Sequence, residues 1–416
     1  MKCLDFCKLG FLFVVSASLF SCSGSVNTNG DPHFDENGCL IKDSTEHKFV
    51  SVIPDRIKFY VEVSGSMNGF FRANMPTTFK TDVWQILKYY SAVVDSVTVL
   101  TNDGDGGQKI ALSQFQGKMN TGAFVSSAST KVPVMLQNII KDLGEGEVAV
   151  LISDMKYSPV GAAAPQVLLN QYSTDVSSIL GNYGKAVSLI GATSEYIGRD
   201  GSSLCDESPY YFLVLGNPEN VVEIRNGIST LLEENKNLIG NIDSGMDYGA
   251  PSYSFGIPEN VYQMVEGEPA FCGYDPSLND TCTIKLKVDL ANYRWAITKK
   301  ELFVQAFQCK ALYGSEVKFG NVDFEIHNIT NSKLERTAVA VVDLELCHMA
   351  TDSEVIEWTL CLPNLDVSEF SDYLYAKDEN DVSKTFSLEN FIKGMFHGGV
   401  VNKSMMSNYI LVSKKS

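Results

Sequence analysis

The sequence predicts an α/β domain with a doubly wound, mostly parallel sheet, followed by a β-rich, sandwich-like C-terminal domain. Between residues 51 and 240, apolar runs such as "IKFYVEV" alternate with segments of helical spacing such as "TDVWQILKYY". That alternation is typical of strands covered by helices on both faces. Over residues 245–416, segments such as "TIKLKVDL" alternate apolar and polar residues, as strands with one solvated face do.

The elements of the first domain follow one another in a regular order. "IKFYVEV" predicts the first strand, and apolar spacing from Val83 to Val94 predicts the first helix. "SVTVL" and "KIALSQF" predict two strands joined as a hairpin by the Gly- and Asp-rich "TNDGDGGQ". Further along, "EVAVLIS", "KAVSLIGATSEYIG" and "YYFLVLG" predict strands, and "KVPVMLQNIIKDL", "PQVLLNQYSTDVSSILGNY" and "VVEIRNGISTLLEENK" predict helices.

The second domain is predicted to be mainly strands with one C-terminal helix, "FSLENFIKGMFHG". We interpret "NIDSGMDYG", near residues 241–249, as a loop between the domains. The predicted strands are "TIKLKVDL", "WAITKKELFVQAFQCKAL", "VKFGNVDFEIHNI", "RTAVAVVDLELC" and "EVIEWTLCL".

The N-terminus has the pattern of an export signal. Residues 1–21 combine basic residues with the apolar segment "LGFLFVVSASLF", which is too short to span a bilayer. The following "LFSC" resembles a bacterial lipobox, so Cys22 is the predicted lipidation site; a signal peptide cleaved near Ser21 is the alternative. The polar residues 22–50 predict a flexible tether. We therefore expect a lipoprotein of the cell envelope, held at the outer membrane by its acyl chains and facing either the periplasm or the surface.

Composition narrows the possible partners. The net charge of −17 argues against nucleic acid, because few cations are available to neutralise phosphates. No later segment has the ~18 consecutive apolar residues of a membrane helix. Cys272 and Cys282 bracket the turn-rich "GYDPSLNDT" and predict a possible hairpin disulfide, with buried reduced thiols as the alternative.

Polar side chains stand where two predicted strands end. Glu62, Ser64 and Ser66 follow the first strand in "FYVEVSGSM", and Asp154 follows "VLIS". Ligands of doubly wound sheets bind at the carboxyl ends of the strands, and carboxylate and hydroxyl oxygens suit Mg²⁺ or Mn²⁺. The alternative interpretation is structural: the serines cap the first helical region, and the acids lie over helix N-termini.

These motifs resemble those of von Willebrand factor A (VWA) domains. "FYVEVSGSM" is similar to the family's D-x-S-x-S motif, and "VAVLISDM" to the segment that supplies the last acid of its metal-ion-dependent adhesion site. The resemblance covers residues 52–240 and implies a VWA/Rossmann-like fold. The arrangement with "SGSM" and "LISD" also resembles Bacteroidota surface lipoproteins.

The resemblance implies a site as well as a fold. It implies a Mg²⁺ ion (or Mn²⁺ or Ca²⁺) held by Ser64, Ser66 and a threonine, with Glu62 and Asp154 coordinating it or orienting its ligands. Thr130 in "SSASTKVPVML" matches the threonine best, with Ser129 or Ser127 as substitutes. An acidic side chain of a protein partner would complete the coordination. Glu62 departs from the family, which has Asp there, so its reach to the ion is changed.

We therefore expect a binding protein rather than an enzyme. The five histidines are scattered, and G-x-S-x-G and P-loop motifs are absent. The first alternative is a metal-free structural or assembly subunit of an envelope complex. The second is a hydrolase with a metal-bound water, which would need further acids or histidines at the site.

Overall fold

The computed structural model describes most of the chain as an α/β part joined to two further sheets. No helix in this described part is long and apolar enough to cross a membrane. The described residues are 32–41, 50–94, 96–100, 107–124, 131–157, 165–245, 250–293, 297, 299–328, 336–361, 367–376, 378, 380–398 and 404–415.

The α/β part contains a seven-stranded mixed sheet, which confirms the predicted α/β class. Its strands are β1 (Arg56–Glu62), β2 (Ser96–Leu100), β3 (Gln108–Ala111), β4 (Glu147–Ser153), β5 (Ala186–Ile197), β6 (Ser203–Gly216) and β7 (Leu238–Ser244). The order is β3-β2-β1-β4-β6-β5-β7. β1, β2, β4 and β5 run in one direction, and β3, β6 and β7 in the other. β6 is reversed because the short turn at 198–202, not a helix, joins it to β5.

Helices cover both faces of this sheet. They are α1 (Thr78–Tyr89), α2 (Leu112–Thr121), α3 (Val132–Asp142), α4 (Pro165–Tyr183) and α5 (Pro218–Glu234). Phe59 and Val61 of β1 belong to the core with α1 and α5, whereas Tyr60 belongs to the core with α3 and α4. This alternation is expected for a strand buried on both sides. α2 was not predicted: most of "KIALSQF" is helical rather than extended.

The β-rich part forms two sheets that meet around the fully buried Trp358, whose ring contacts Tyr253 and Phe307. A helix, α6 (Lys300–Ala306), occupies a segment predicted as strand. The strands of these sheets are β8 (Tyr253–Gly256), β9 (Tyr262–Gln263), β10 (Ala270–Tyr274), β11 (Thr281–Asp289), β12 (Phe307–Ala311), β13 (Glu316–Asn328), β14 (Arg336–Cys347), β15 (Ser353–Cys361) and β16 (Ser404–Lys414). One sheet has the order β13-β14-β11-β8 and the other β12-β15-β16-β10-β9.

The predicted C-terminal helix is present, but it packs on the α/β sheet. In α7 (Leu388–Gly398), Phe391 and Met395 belong to the same core as Tyr172 and Val176 of α4. The helices approach closely at Gly394, where an added Cβ would lie 2.7 Å from the Cβ of Val176. After β15 of the β-rich part, the chain thus returns to the α/β part. α7 lies beyond the predicted boundary at residue 245 in sequence, but it packs on α4.

Part of the predicted flexible tether is docked, which corrects that prediction for residues 32–41. Phe34 and Leu40 form an isolated β-bridge and are buried against a cluster that includes Leu411 of β16. The Leu40 N–H donates to Glu268 Oε2 (3.1 Å). These contacts, together with the stacking of the His33 ring on Tyr409 of β16 (3.6 Å between ring centroids), fix this segment to the five-stranded sheet.

The predicted disulfide is not formed in the structure. Cys272 and Cys282 are buried free thiols. Cys272 lies on β10 and Cys282 on β11, and these strands belong to different sheets. The turn between them leads from one sheet to the other instead of closing a hairpin. Burial raises the pKa of Cys282 to about 11.

A glycine pair tests the docking of α7. Gly394→Ala should lower the free energy of unfolding by about 1–3 kcal/mol, because the new methyl group overlaps Val176 and the Ser173 carbonyl. Gly117 of α2 has no atom within 4 Å of its would-be Cβ. Gly117→Ala should therefore stabilise by about 0.5–1 kcal/mol. Urea unfolding measures both, and equal effects would contradict the packing of α7 on α4.

Candidate functional site

The candidate site lies at the edge of the sheet where β1 and β4 end. These strands are neighbours and run parallel, with Tyr60 opposite Leu151. Ser64 and Ser66 follow β1, and their hydroxyl oxygens are 2.9 Å apart. Asp154 follows β4 and is 1% exposed. The parallel pairing therefore brings to one edge three of the residues that the sequence predicted.

A tight turn after β1 positions the serine hydroxyls. The chain stays extended through Val63, whose N–H donates to the Leu100 carbonyl (3.1 Å). A short 3-10 helix, Gly65–Gly69, then begins with Ser64 in the extended N-cap conformation. The Met67 N–H donates to the Ser64 carbonyl (3.1 Å), and the Met67 side chain is fully buried. The turn is thus anchored in the core while the hydroxyls remain at the sheet edge.

The Asp154 carboxylate is buried and only partly bonded. Its Oδ1 accepts the Lys156 N–H (3.2 Å), but Oδ2 has no hydrogen-bond partner in the described part of the chain. The next residue, Met155, has a φ of 54°, which is uncommon for a residue other than glycine. Unpartnered buried oxygens and left-handed backbone both cost stability, and such features concentrate at functional sites.

Burial raises the pKa of Asp154, because a charge is unfavourable in this apolar setting. The nearby Lys156 ammonium and the Ser66 hydroxyl act in the opposite direction and favour the carboxylate. Ser66 lies close enough to Asp154 to favour its charged form, but Oδ2 has no hydrogen-bond partner among the described residues. Asp154 is therefore a buried acid whose Oδ2 accepts no hydrogen bond from the described residues to offset the cost of burial.

Glu62 is held by a residue that the sequence analysis did not single out. Its Oε2 accepts from the Ser153 hydroxyl, and Ser153 Oγ in turn accepts the Met155 N–H (2.7 Å). Glu62 is 2% exposed. This bond joins the ends of β1 and β4. Of the other predicted residues, Thr130, its substitutes Ser127 and Ser129, and the lipidation site Cys22 lie outside the described residues.

A cleft of about 460 Å³ opens beside the serines, and three cationic side chains line it: Arg72, Lys156 and Arg199. The β5–β6 hairpin forms one wall, and the guanidinium of Arg72 donates to the Ile197 carbonyl at 3.3–3.4 Å. A C-terminal segment forms another wall, where Lys156 Nζ donates to the Asp381 carbonyl (2.7 Å). The cleft is therefore basic at its rim although the chain is acidic overall.

Several of these residues were missed by sequence reasoning. Lys156 carries a usable signal, because it stands two positions after Asp154 at the same strand end. Thr385 carries none: its hydroxyl lies 3.3 Å from the Asp154 carbonyl, 231 residues earlier, and 3.0 Å from the Tyr211 hydroxyl, 174 residues earlier. Such contacts depend on the return of the C-terminal segment to the α/β sheet, which no local pattern encodes.

The donor set fits a hard divalent cation. Asp154 Oδ2 is available, and the paired hydroxyls of Ser64 and Ser66 are the oxygen ligands that such ions accept. The described residues contain no cluster of three or more His, Cys, Asp or Glu side chains suited to a metal. An ion here would depend on hydroxyls, water and one or two carboxylates, and the Lys156 charge would weaken its binding.

Comparison with known proteins gives no match: no family model fits the chain, and neither a curated protein nor a solved structure matches it.

The raised pKa of Asp154 predicts a pH dependence of stability. In the folded protein this carboxyl keeps its proton to higher pH than in the unfolded chain, so its contribution to stability is present at low pH and is lost as pH rises through the folded pKa. Asp154→Asn should remove this loss. In chelator-containing buffer at pH 7, we expect the variant to be more stable than the wild type, and the difference should shrink toward pH 3.

Asp200 provides a control with the opposite sign. Hydrogen bonds from Ser202 lower the pKa of this exposed carboxyl. Asp200→Asn should therefore become less stable than the wild type as pH rises through the range in which carboxyl groups ionise. Urea unfolding between pH 3 and 8 measures both variants. A wild-type advantage over Asp154→Asn at pH 7 would contradict the burial argument.

Proposed function

We propose that the chain is an envelope-anchored lipoprotein whose α/β part binds a protein partner at the basic cleft, with a divalent ion at the sheet edge. Ser64, Ser66 and Asp154 would hold the ion, with Thr130 as the fourth candidate ligand and Glu62 orienting the site through Ser153. The observation that carries the proposal is the buried, unpartnered Oδ2 of Asp154 beside two paired hydroxyls.

The partner's contribution follows from the charges of the cleft. A bound divalent ion would supply a positive centre that an acidic side chain of the partner can ligate. Arg72, Lys156 and Arg199 would add attraction for the same acidic surface, because cations around a recess favour and steer an anionic partner. Arg72 and Lys156 are already held by backbone carbonyls, which reduces the ordering needed on binding.

We further propose that the α/β part has a VWA/Rossmann-like fold. It is supported by the central order β2-β1-β4 and by the parallel pairing of those strands. It is supported further by the helices on both faces and by candidate ligands at the carboxyl edge. The antiparallel β3, β6 and β7 depart from the mostly parallel sheet that the resemblance implies.

Lys156 favours a second candidate, a metal-free structural or assembly subunit of an envelope complex. Lys156 is 7% exposed, and its ammonium lies near enough to Asp154 to oppose the rise of that pKa. A positive charge from the chain itself could thus stabilise the carboxylate without an ion. In that case the cleft would bind an acidic partner through its three cationic side chains.

Titration calorimetry of the chain from residue 23 distinguishes the two candidates. With MgCl₂, MnCl₂ or CaCl₂, the metal-dependent site predicts saturable binding that Asp154→Asn and Ser66→Ala abolish. Lys156→Gln should tighten that binding about tenfold, because a repelling charge is removed. Lys141→Gln, an exposed charge removal on α3, should change nothing. Absence of binding by all three ions would favour the metal-free subunit.

The anchor is tested separately. Cys22→Ala should move the chain from the detergent phase to the aqueous phase in Triton X-114 partitioning, because loss of acyl chains removes about 0.8 kcal/mol per buried CH₂. Ser21→Ala serves as the control and should leave partitioning unchanged. Aqueous partitioning of the wild type would exclude lipidation at Cys22.

A further inference from the structure

A second recess, in the groove between α1 and α2, shares no lining residue with the basic cleft. It encloses about 850 Å³. Trp84 of α1 and Met119 of α2 contribute apolar surface, and Lys80, Lys88 and Gln116 contribute polar groups. None of the described residues that line this groove is Asp or Glu. That is unusual for a chain with 50 acidic and 33 basic residues.

Lys80 is a buried cation without a counter-charge. It is 7% exposed, and its ammonium donates to the carbonyls of Arg72 (2.6 Å) and Met75 (2.9 Å). Those two bonds use two of its three N–H donors, and the described residues provide no ion pair for it. Burial lowers its pKa, and no neighbouring carboxylate opposes that shift. Buried charges are normally paired, so an anion is the missing component.

One face of α1 presents a cation, a ring and a second cation in succession. Lys80, Trp84 and Lys88 stand four residues apart, which places them on one side of the helix over about 12 Å. The Lys88 ammonium lies over the Trp84 ring, 6.0 Å from its centre. Trp84 is only half-buried, and Lys88 is exposed. A flat ligand can therefore stack on the indole when the exposed Lys88 side chain moves off that face.

The opposite wall is polar and is fixed in place. Gln116 and Asn120 of α2 stand four residues apart, and both line the groove. The loop that closes one end is bonded to α2, because the Asn74 N–H donates to the Asn120 carbonyl (3.2 Å). The Lys80 ammonium holds the same loop through its two carbonyl bonds. The recess is thus preformed, as small-molecule sites usually are.

We propose that the α1–α2 groove binds a small organic anion that carries a flat apolar ring. The ring stacks on Trp84, and its carboxylate, sulfate or phosphate group accepts the remaining N–H of Lys80. Lys88 adds a second positive charge near the ring, and the amides of Gln116 and Asn120 bind polar substituents. This site is separate from the partner-binding cleft and does not depend on a metal ion.

Two matched probes test the proposal. 8-Anilinonaphthalene-1-sulfonate and N-phenyl-1-naphthylamine share one aromatic body, and only the first carries an anionic group. Their binding to the chain from residue 23 is followed by probe fluorescence and calorimetry. We expect the sulfonate to bind with one-to-one stoichiometry, at least about tenfold more tightly than the neutral amine, because a charge-assisted bond is added.

Variants separate the contributions of charge and ring. Lys80→Met and Lys88→Gln should each weaken binding of the sulfonate severalfold to tenfold and leave the neutral amine unchanged, whereas Trp84→Leu should weaken both probes. Lys118→Gln removes a charge from α2 outside the groove and should have no effect. Lys88 is exposed, so its variant remains informative if Lys80→Met fails to fold. Equal binding of the two probes, or sulfonate binding that survives Lys88→Gln and Trp84→Leu, would overturn the proposal.

Discussion

The parallel pairing of β1 with β4 is the constraint on which the rest of the site depends. Each strand alone carries a short polar sequence at its end, and neither sequence is a site. Their register places Val61 beside Ile152, so the turn after Glu62 and the turn after Ser153 arise at the same edge. The hydrogen bond from Ser153 to Glu62 then joins the two ends. Helices on both faces stabilise this pairing, because they cover its apolar residues.

Asp243 and Asp154 are two buried acids of the α/β part that differ in the partners of their carboxylate oxygens. Asp243 on β7 forms an ion pair with Arg225 of α5, and both side chains are almost fully buried. Asp154 is equally buried, but one of its oxygens has no partner. Removing one member of a buried ion pair typically lowers the free energy of unfolding by about 3–5 kcal/mol, so Asp243 has a structural role. The unpartnered oxygen of Asp154 does not contribute in this way, which leaves it available for a ligand.

Sequence reasoning was most successful where burial alone decides the structure. The apolar runs of β1 and β4, and the residues that follow them, could be identified because a strand covered on both faces leaves a continuous signal. α2 could not, since only Phe115 and Met119 are buried in it. β7 was missed because its buried Asn241 and Asp243 look like loop residues until Arg225 is placed beside them. The docking of residues 32–41 depends on two isolated apolar side chains, which no periodicity reveals.

If Cys22 is lipidated as proposed, the docked N-terminal segment would also limit the distance between the molecule and the membrane. Nine residues lie between Cys22 and Pro32, and the stretch from the Cα of Cys22 to that of Pro32 can span at most about 35 Å, even if fully extended. A lipid on Cys22 would therefore keep the five-stranded sheet within that distance of the bilayer surface. The molecule could rotate about this linker, but the linker length would limit the distance between Cys22 and the docked segment. A partner would have to come to the envelope to be bound, and soluble partners would be captured within a thin layer above the membrane.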